Sequence, residues 1–174
     1  MLSLTFADKT SIELDTAQLT GRNSAHYRQR VEKFLERQMF MHHIGFTLDV
    51  IEEGRTEGFL DLQEIHQQQK GFAHGGLIAT LADITAGFAA YTVVPEDQHV
   101  MTAEIKVSYL NPGIGDKLHA VGWVLKPGRK IVFCESEVYA IKGDQRKIIA
   151  KATTSMAVIS AEDVKKGNNA TAGE

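Results

Sequence analysis

Apolar residues recur along this chain at two periods, and the two periods predict different elements. Between residues 25 and 45 they lie three and four positions apart with charged residues between them, which is typical of an amphipathic surface helix. Asn23 or Ser24, just before the first apolar position, is expected to cap the helix N-terminus. The apolar positions of the stripe are Tyr27, Val31, Phe34, Leu35 and Met39.

Alternation at every second position dominates much of the remaining chain and predicts strands. Two such segments flank a turn at Gly54 and predict a hairpin, and tight turns at 126–129 and 142–144 separate the last three segments. Such short connections join antiparallel neighbours, so we expect an antiparallel sheet of about five to six strands. The alternating segments cover residues 44–50, 58–62, 101–109, 119–125, 131–140 and 148–159.

One segment, residues 71–94, fits neither pattern because it is almost wholly apolar. It is the only candidate for a long core helix, and its two faces differ in size rather than in polarity. The bulky stripe is expected to pack on the sheet and comprises Leu77, Leu81, Ile84, Phe88 and Tyr91. The small stripe is expected to admit a second backbone or a slender ligand and comprises Gly76, Ala79, Thr80, Asp83, Ala86, Gly87 and Ala90.

The composition fits one globular domain of 174 residues, of which 43% are hydrophobic and 24% are charged. We expect an N-terminal extension over residues 1–22, a folded domain over 23–160 and a polar, disordered tail over 161–174. A net charge of −3 without a dense stripe of Lys and Arg argues against nucleic acid and anionic membranes as partners. The ligand is therefore expected to be a small molecule.

Cysteine content and the N-terminal segment both favour the cytoplasm. Cys134 is the only cysteine, which excludes an internal disulfide, and its place in an alternating strand predicts a core position. The first residues lack a basic region followed by an apolar run, so no signal peptide is expected. Residues 71–94 are long enough to span a bilayer, but their glycines together with His74 and Asp83 argue against a membrane span.

Asp83 is the strongest candidate for a catalytic residue, because it is the only charged residue in the apolar segment 71–94. An unpaired buried carboxylate costs several kcal/mol, so such a group usually has a raised pKa or a function. Gly75 and Gly76 open the predicted helix. Unpaired backbone N–H groups and the positive end of the helix dipole can hold an oxyanion there.

The separation of these two features constrains any shared site. Gly76 and Asp83 are seven residues apart, which at a rise of about 1.5 Å per residue separates them by roughly 10 Å along the helix. One carbonyl group cannot contact both within one chain. Either the features are unrelated, or two copies of the helix lie side by side and pair Gly75 of one chain with Asp83 of the other.

The order of the elements carries a family resemblance. A helix and a hairpin precede His74-Gly75-Gly76, which opens a long helix nine residues ahead of Asp83, and a four-strand meander containing Thr102 follows. This arrangement resembles the hotdog-fold thioesterases of the phenylacetate-pathway, or PaaI-like, group. The resemblance implies an α+β fold in which an antiparallel sheet wraps a central helix. It also implies an acyl-CoA substrate, no cofactor or metal, and a site at the interface of a homodimer that pairs into a homotetramer.

The same resemblance implies roles for individual residues. Asp83 is implied as nucleophile or general base, the Gly75 N–H as oxyanion donor to the thioester carbonyl, and His74 as a residue that positions this region. Thr102 matches a position near the attacking water. Gln68 departs from the pattern, because many relatives carry Asn there, although its side chain still offers an amide. The residues implied to contact the CoA substrate are Gly76, Tyr109, Asn111, Gly128, Arg129 and Lys130.

Other roles and functions stay open from the sequence. In the non-catalytic interpretation, Asp83 is a structural carboxylate that pairs with a buried group, and His74 only caps the helix. A dehydratase of acyl thioesters shares the fold and would use His74 as its base. An acyl-CoA sensor or binding module would need an attached DNA-binding helix pair, for which the first forty residues lack the pattern.

Two further questions are the identity of the acyl group and whether the histidines outside the apolar segment bind a metal. An aromatic lining suits an aryl-CoA and a medium-chain acyl-CoA equally, so the lining does not identify the acyl group. The residues expected in that lining are Phe40, Phe88, Tyr91 and Tyr109. No metal site is predicted, since no carboxylate stands at ligand spacing from His42, His43 or His66.

Overall fold

The computed structural model describes residues 26–160 and 162–164, together with the backbone of two short strands near the N-terminus. These strands, β1 (Ser3–Leu4) and β2 (Ile12–Glu13), pair antiparallel. The rest of the predicted extension, both predicted cap residues (Asn23 and Ser24), residue 161 and residues 165–174 of the predicted tail lie outside the described residues. Residues 162–164 form one helical turn.

A six-stranded antiparallel sheet forms the framework, as the alternating segments predict. Its strand order is β3-β4-β6-β7-β8-β5, and every neighbouring pair is antiparallel. Gly54 and Gly143 adopt left-handed φ angles of 74° and 54° in two of the tight turns, where glycine is favoured. The strands are β3 (Phe46–Glu52), β4 (Arg55–Asp61), β5 (Gln98–Tyr109), β6 (Lys117–Pro127), β7 (Ile131–Lys142) and β8 (Gln145–Ser160).

The predicted core helix is α3 (Gly75–Thr92). It packs against all six strands of the sheet and most closely against β6. A Cβ atom at Gly122 of β6 would lie 2.4 Å from the backbone carbon of Thr85, so the two backbones approach to a distance that only glycine allows. The Thr56 hydroxyl of β4 donates to the Thr85 carbonyl at 2.7 Å. The largest side chains buried around the helix are Leu60, Leu81, Leu118, Ile149 and Met156.

This close approach corrects the predicted division of α3 into two faces. Ala86 and Ala90, expected on the open face, are fully buried, whereas Leu77 and Ile84, expected in the core, are only partly buried. The sheet lies so near the helix that alanine and threonine face it, and larger side chains fill the flanks. Gly76 is exposed and Thr80, Asp83 and Gly87 are partly exposed, as expected for the open face.

The helix expected across residues 25–45 is two helices, α1 (Tyr27–Leu35) and α2 (Met39–Ile44). Arg30 of α1 is held at the C-terminal end of α3, where it donates to two backbone carbonyls, whereas α2 packs on β3 and buries Met41. The chain must turn between these two contacts, which amphipathic spacing does not reveal. His26 stands at the N-cap position of α1 without a side-chain capping bond.

Among the described residues, no helix combines the length and the hydrophobicity that a membrane span requires.

Candidate active site

Asp83 lies on the open face of α3, where the helix meets β5, and its carboxylate is half-buried. The Thr102 hydroxyl on β5 donates a hydrogen bond to Asp83 Oδ1 at 2.8 Å. Burial raises the pKa of Asp83 above its ordinary value of 3.8, and the Thr102 hydrogen bond opposes this by stabilising the charged form. The group is therefore a better base than an exposed carboxylate, and it is held in one orientation.

A β-bulge accompanies Thr102. The pairing register of β5 with β8 shifts between Thr102 and Glu104, so Ala103 is the extra residue of the edge strand. Bulges change the direction of neighbouring side chains and are frequent beside active sites. Here the bulge follows the residue whose hydroxyl reaches across to α3.

The first turn of α3 offers one free backbone donor. His74 is the N-cap residue, and its Nδ1 accepts a hydrogen bond from the Gly76 N–H at 3.0 Å. The Gly76 N–H is therefore occupied. No acceptor for the Gly75 N–H exists within the described part of the chain, so of the two predicted oxyanion donors Gly75 is the available one.

The capping bond also selects the tautomer of the neutral His74 ring. Because Nδ1 accepts from a backbone N–H, the proton of the neutral ring resides on Nε2. A histidine that acts as a general base needs a ring nitrogen with a free lone pair. In this arrangement His74 orders the start of α3 and presents an N–H donor outward.

Four predicted site residues line one cavity of about 370 Å³ beside the start of α3, namely Gln68, Gly75, Tyr109 and Asn111. The Tyr109 hydroxyl donates to the Gly75 carbonyl at 2.8 Å. Gln68 Oε1 accepts from the Lys70 N–H at 3.2 Å, and Asn111 Nδ2 donates to the Ile148 carbonyl at 2.9 Å. The two amide side chains thus hold the loop and the strand end while lining the cavity.

Asp83 lines a different cavity, of about 340 Å³, that shares no lining residue with the first. Thr102 lies with Asp83, and nothing from the first turn of α3 reaches this cavity. The lining consists of Phe34, Gln38, Asp83, Ile84, Gly87, Phe88, Tyr91, His99, Val100 and Thr102. A single protomer therefore keeps the acid and the Gly75 donor apart.

The remaining predicted CoA contacts do not join Tyr109 and Asn111. Gly128, Arg129 and Lys130 form the turn between β6 and β7, and the Lys130 carbonyl accepts from the Val158 N–H near the end of β8. Tyr109 pairs with Ala150 in the first half of β8. The structure therefore separates these residues into two groups at different ends of the sheet.

Sequence reasoning gave no functional role to several residues of the Asp83 cavity, among them Phe34, Gln38, His99 and Val100. The four aromatic residues expected in one lining lie in three cavities: Phe88 and Tyr91 line this one, Tyr109 lines the cavity beside Gly75, and Phe40 lines a third of about 460 Å³ together with His74 and Gly76. The amphipathic stripe marked Phe34 as an inward-facing residue. It carried no information about which part of α3 that residue meets.

Cys134 is buried in the core, where desolvation raises the pKa of its thiol to about 12. Such a thiol is not a nucleophile at neutral pH. Across the described residues, no group of three or more His, Cys, Asp or Glu side chains is arranged to hold a metal ion.

Comparison with known proteins identifies the family to which this fold belongs. The family model of the thioesterase superfamily matches residues 70–147. A thioesterase family protein of Silicibacter pomeroyi superposes with a TM-score of 0.76 at 31% identity, over 78% of this chain and 99% of that one. The chain belongs to the thioesterase superfamily and has its hotdog fold. Its class is that of thioester hydrolases.

Particular relatives refine the comparison. The medium/long-chain acyl-CoA thioesterase YigI of Escherichia coli is 25% identical over 70% of this chain and 90% of its own length. The Escherichia coli PaaI protein from the phenylacetic acid degradation operon superposes with a TM-score of 0.71 at 20% identity, over 79% and 96% of the two chains, which shows a shared fold. A Caenorhabditis elegans relative is 39% identical over 44% of this chain, and the match spans 45% of that relative.

Proposed function

We propose that this protein hydrolyses acyl-CoA thioesters in the cytoplasm as a homodimer or a pair of homodimers, with each active site built from two protomers. The observation that carries the proposal is the half-buried Asp83, whose pKa is raised by burial and whose carboxylate faces a cavity beside Thr102. The Escherichia coli relative is named as an acyl-CoA thioesterase, which supports coenzyme A as the thiol part of the substrate.

Separation along α3 supports the two-protomer site. Gly75 and Asp83 are eight residues apart, or about 12 Å along the helix axis, and they line separate cavities. A thioester carbonyl is too small to contact both. A second α3, lying beside the first in the opposite direction, would bring its Asp83 to the Gly75 N–H of its neighbour.

The chemistry follows from these two groups. The carbonyl oxygen accepts a hydrogen bond from the Gly75 N–H, and the α3 dipole stabilises the negative charge that develops on it. Asp83 of the other protomer either attacks the carbonyl carbon or removes a proton from a water that attacks. When the carbon–sulfur bond breaks, the CoA thiolate leaves and takes up a proton in both routes. Attack by water gives the free acid directly. Direct attack by Asp83 leaves a mixed anhydride of Asp83 and the acyl group, which one water then hydrolyses to release the acid and restore the carboxylate.

Thr102 and His74 have positioning roles in this scheme. Thr102 holds Asp83 Oδ1, and no hydrogen bond to Oδ2 exists within the described residues, which leaves Oδ2 free to act on the substrate or on water. His74 caps α3 through Nδ1, which orders the turn that presents the Gly75 N–H. This use of Nδ1 as an acceptor argues against the dehydratase alternative, in which His74 is the base.

Substitution of Asp83 by asparagine tests the proposal. Asp83→Asn preserves shape and removes the ionisable group, so kcat is expected to fall by at least about a hundredfold. The measurement is release of CoA thiol from a panel of acyl-CoAs, with circular dichroism to establish that the variant is folded. Turnover close to that of the wild type in the folded variant would contradict the role of Asp83.

A further inference from the structure

We propose that Phe34 on α1 closes the far end of the acyl-binding pocket beside Asp83 and thereby sets the longest acyl group that this enzyme accepts. The inference rests on the proposed acyl-CoA thioesterase function and goes beyond it, because it assigns the substrate-length limit to one residue outside the catalytic machinery.

The Asp83 cavity lies between α3 and β5. Helix α3 contributes one wall and β5 the other, so the gap between the two elements is open unless a third element covers it. Phe34 and Gln38 are the lining residues from outside these two elements. Phe34 comes from α1, and Gln38 from the short connection that follows it.

Phe34 is one of three rings that meet beyond Asp83. Its ring centroid lies 5.0 Å from that of Tyr91 in an edge-to-face arrangement and 5.6 Å from that of His99. The rings of Tyr91 and His99 are nearly parallel, with centroids 6.1 Å apart. Edge-to-face and offset contacts at such distances are favourable, so the cluster forms a packed end wall.

The distance from Asp83 to this wall follows from both elements. Tyr91 is eight residues beyond Asp83 on α3, or about 12 Å along the axis. His99 is three residues before Thr102 on β5, or about 10 Å. An extended alkyl chain advances about 1.25 Å per bond at ordinary bond lengths and angles. The depth therefore fits an acyl chain of roughly eight to ten carbons.

The cavity volume leads to a similar limit. A cavity of about 150 Å³ holds one benzene molecule. The Asp83 cavity is about 340 Å³, so it encloses roughly twice as many heavy atoms as one benzene molecule, which is fewer than a sixteen-carbon chain contains.

Arg30 fixes the position of the wall. It donates from Nη2 to the carbonyls of Tyr91 and Val94 at 2.6 and 2.8 Å, and its guanidinium lies 4.3 Å from the centre of the Tyr91 ring. These contacts hold α1 against the C-terminal end of α3. Phe34, one turn further along α1, is 38% exposed and thus separates the cavity from solvent. Removal of its ring opens the pocket at that end.

The test compares kcat/KM across saturated acyl-CoAs of four to sixteen carbons. The wild type is expected to prefer about eight to ten carbons and to lose at least about tenfold at sixteen, because each misplaced methylene costs at least that much. In Phe34→Ala, kcat/KM for the sixteen-carbon substrate is expected to rise at least about tenfold, with short substrates changed by less than about threefold. Phe34→Leu is expected to be intermediate.

Two further variants make the test specific. Phe133→Ala removes the same ring from β7, where the side chain is similarly exposed and lines none of the three cavities described above, and is expected to leave the length profile unchanged. Gly87→Leu fills the Asp83 cavity from α3, where the nearest atom to a new Cβ is 3.8 Å away, and is expected to shift the preference to shorter chains. Phe34→Leu tests the inference if Phe34→Ala does not fold.

Failure of the inference and failure of the proposed function give different results. Absence of turnover by the wild type on every acyl-CoA would overturn the proposed function and the pocket assignment with it. Normal turnover, with a length profile that folded Phe34→Ala leaves unchanged, would overturn the inference alone, whatever the effect of Gly87→Leu.

Discussion

Asp83 and Thr102 form the hydrogen bond on which the proposed chemistry depends. Burial favours the protonated carboxyl and raises its pKa, whereas hydrolysis requires the ionised form. The Thr102 hydrogen bond favours ionisation and limits the rise. The balance between the two effects determines the pH at which the Asp83 carboxylate becomes protonated.

Removal of the Thr102 hydroxyl is expected to shift this balance. In Thr102→Val the hydrogen bond is lost, so the pKa of Asp83 rises further above its ordinary value. Activity depends on the ionised form, so the acid limb of kcat/KM against pH is expected to move to higher pH. Thr102→Ser, which keeps a hydroxyl, is the matched control. An acid limb that stays in place or moves to lower pH in Thr102→Val would contradict this account.

The sequence revealed some of these residues and not others. Asp83 stands out because it is the only charge in an apolar segment, and Thr102 was found only through the family resemblance. That the Gly76 N–H is occupied could not be predicted. It depends on the side-chain conformation of His74, which places Nδ1 3.0 Å from that nitrogen.

At the scale of elements, the contact between α3 and β6 determines where the catalytic helix lies. Gly122 and Gly87 both stand on elements of this contact, but their surroundings differ. A Cβ at Gly122 would overlap the Thr85 backbone, whereas a Cβ at Gly87 would make one ordinary contact with the Met156 side chain.

The same substitution is therefore expected to have opposite effects at these two glycines. Gly122→Ala is expected to lower the free energy of unfolding by about 1–3 kcal/mol, because the helix must move away from the sheet. Gly87→Ala is expected to raise it by up to about 1 kcal/mol, because alanine has the higher helix propensity. Urea denaturation at one protein concentration measures both. Equal effects of the two substitutions would be inconsistent with the close approach at Gly122.

Strands were easier to predict than helix faces for a physical reason. Strands β4 and β7 have one face toward α3, so buried and more exposed positions alternate along them, as the apolar pattern predicts. Along β5 the alternating apolar residues Met101, Ile105 and Tyr109 mark the strand equally well, although their side chains are exposed. Helix α3 is apolar on both faces, so the difference between Ala86 and Ile84 in burial left no polarity signal. The break between α1 and α2 arises from contacts with separate partners, which the local pattern does not encode.

At the scale of the whole molecule, one protomer keeps the two groups of the proposed site in separate cavities. Asp83 and Thr102 lie where α3 meets β5, which is an edge strand with no neighbour on its outer side in the described chain. Gly75 lies at the other end of the helix's open face, beside Tyr109 near the end of the same strand. An antiparallel partner along this edge would complete both sites at once.

The sequence predicted this division but not the surroundings of each half. The spacing of Gly75 and Asp83 along one helix is fixed by helix geometry, so it could be derived from residue numbers. The Asp83 cavity combines residues from three elements that are distant in sequence, such as Phe34 and His99. Which of them meet is decided by tertiary packing alone.

Two inactive variants allow the shared site to be tested directly. Gly75→Pro removes the N–H donor at the first position of α3, which proline tolerates, and His74 already has φ −64° and ψ 135°, which suit a residue before proline. Gly75→Ala, which keeps the N–H, is the control for the added Cβ near the Tyr109 hydroxyl. Asp83→Asn removes the acid and keeps the donor.

Activity of a co-refolded mixture of Asp83→Asn and Gly75→Pro is the most direct measurement of the central claim. If each site pairs Gly75 of one protomer with Asp83 of the other, a mixed dimer has one intact site of its two. Random pairing then restores up to about a quarter of wild-type activity from two inactive proteins. No recovery in a mixture shown to contain folded mixed dimers would contradict the account, because both groups would then act within one chain or one of them would not act.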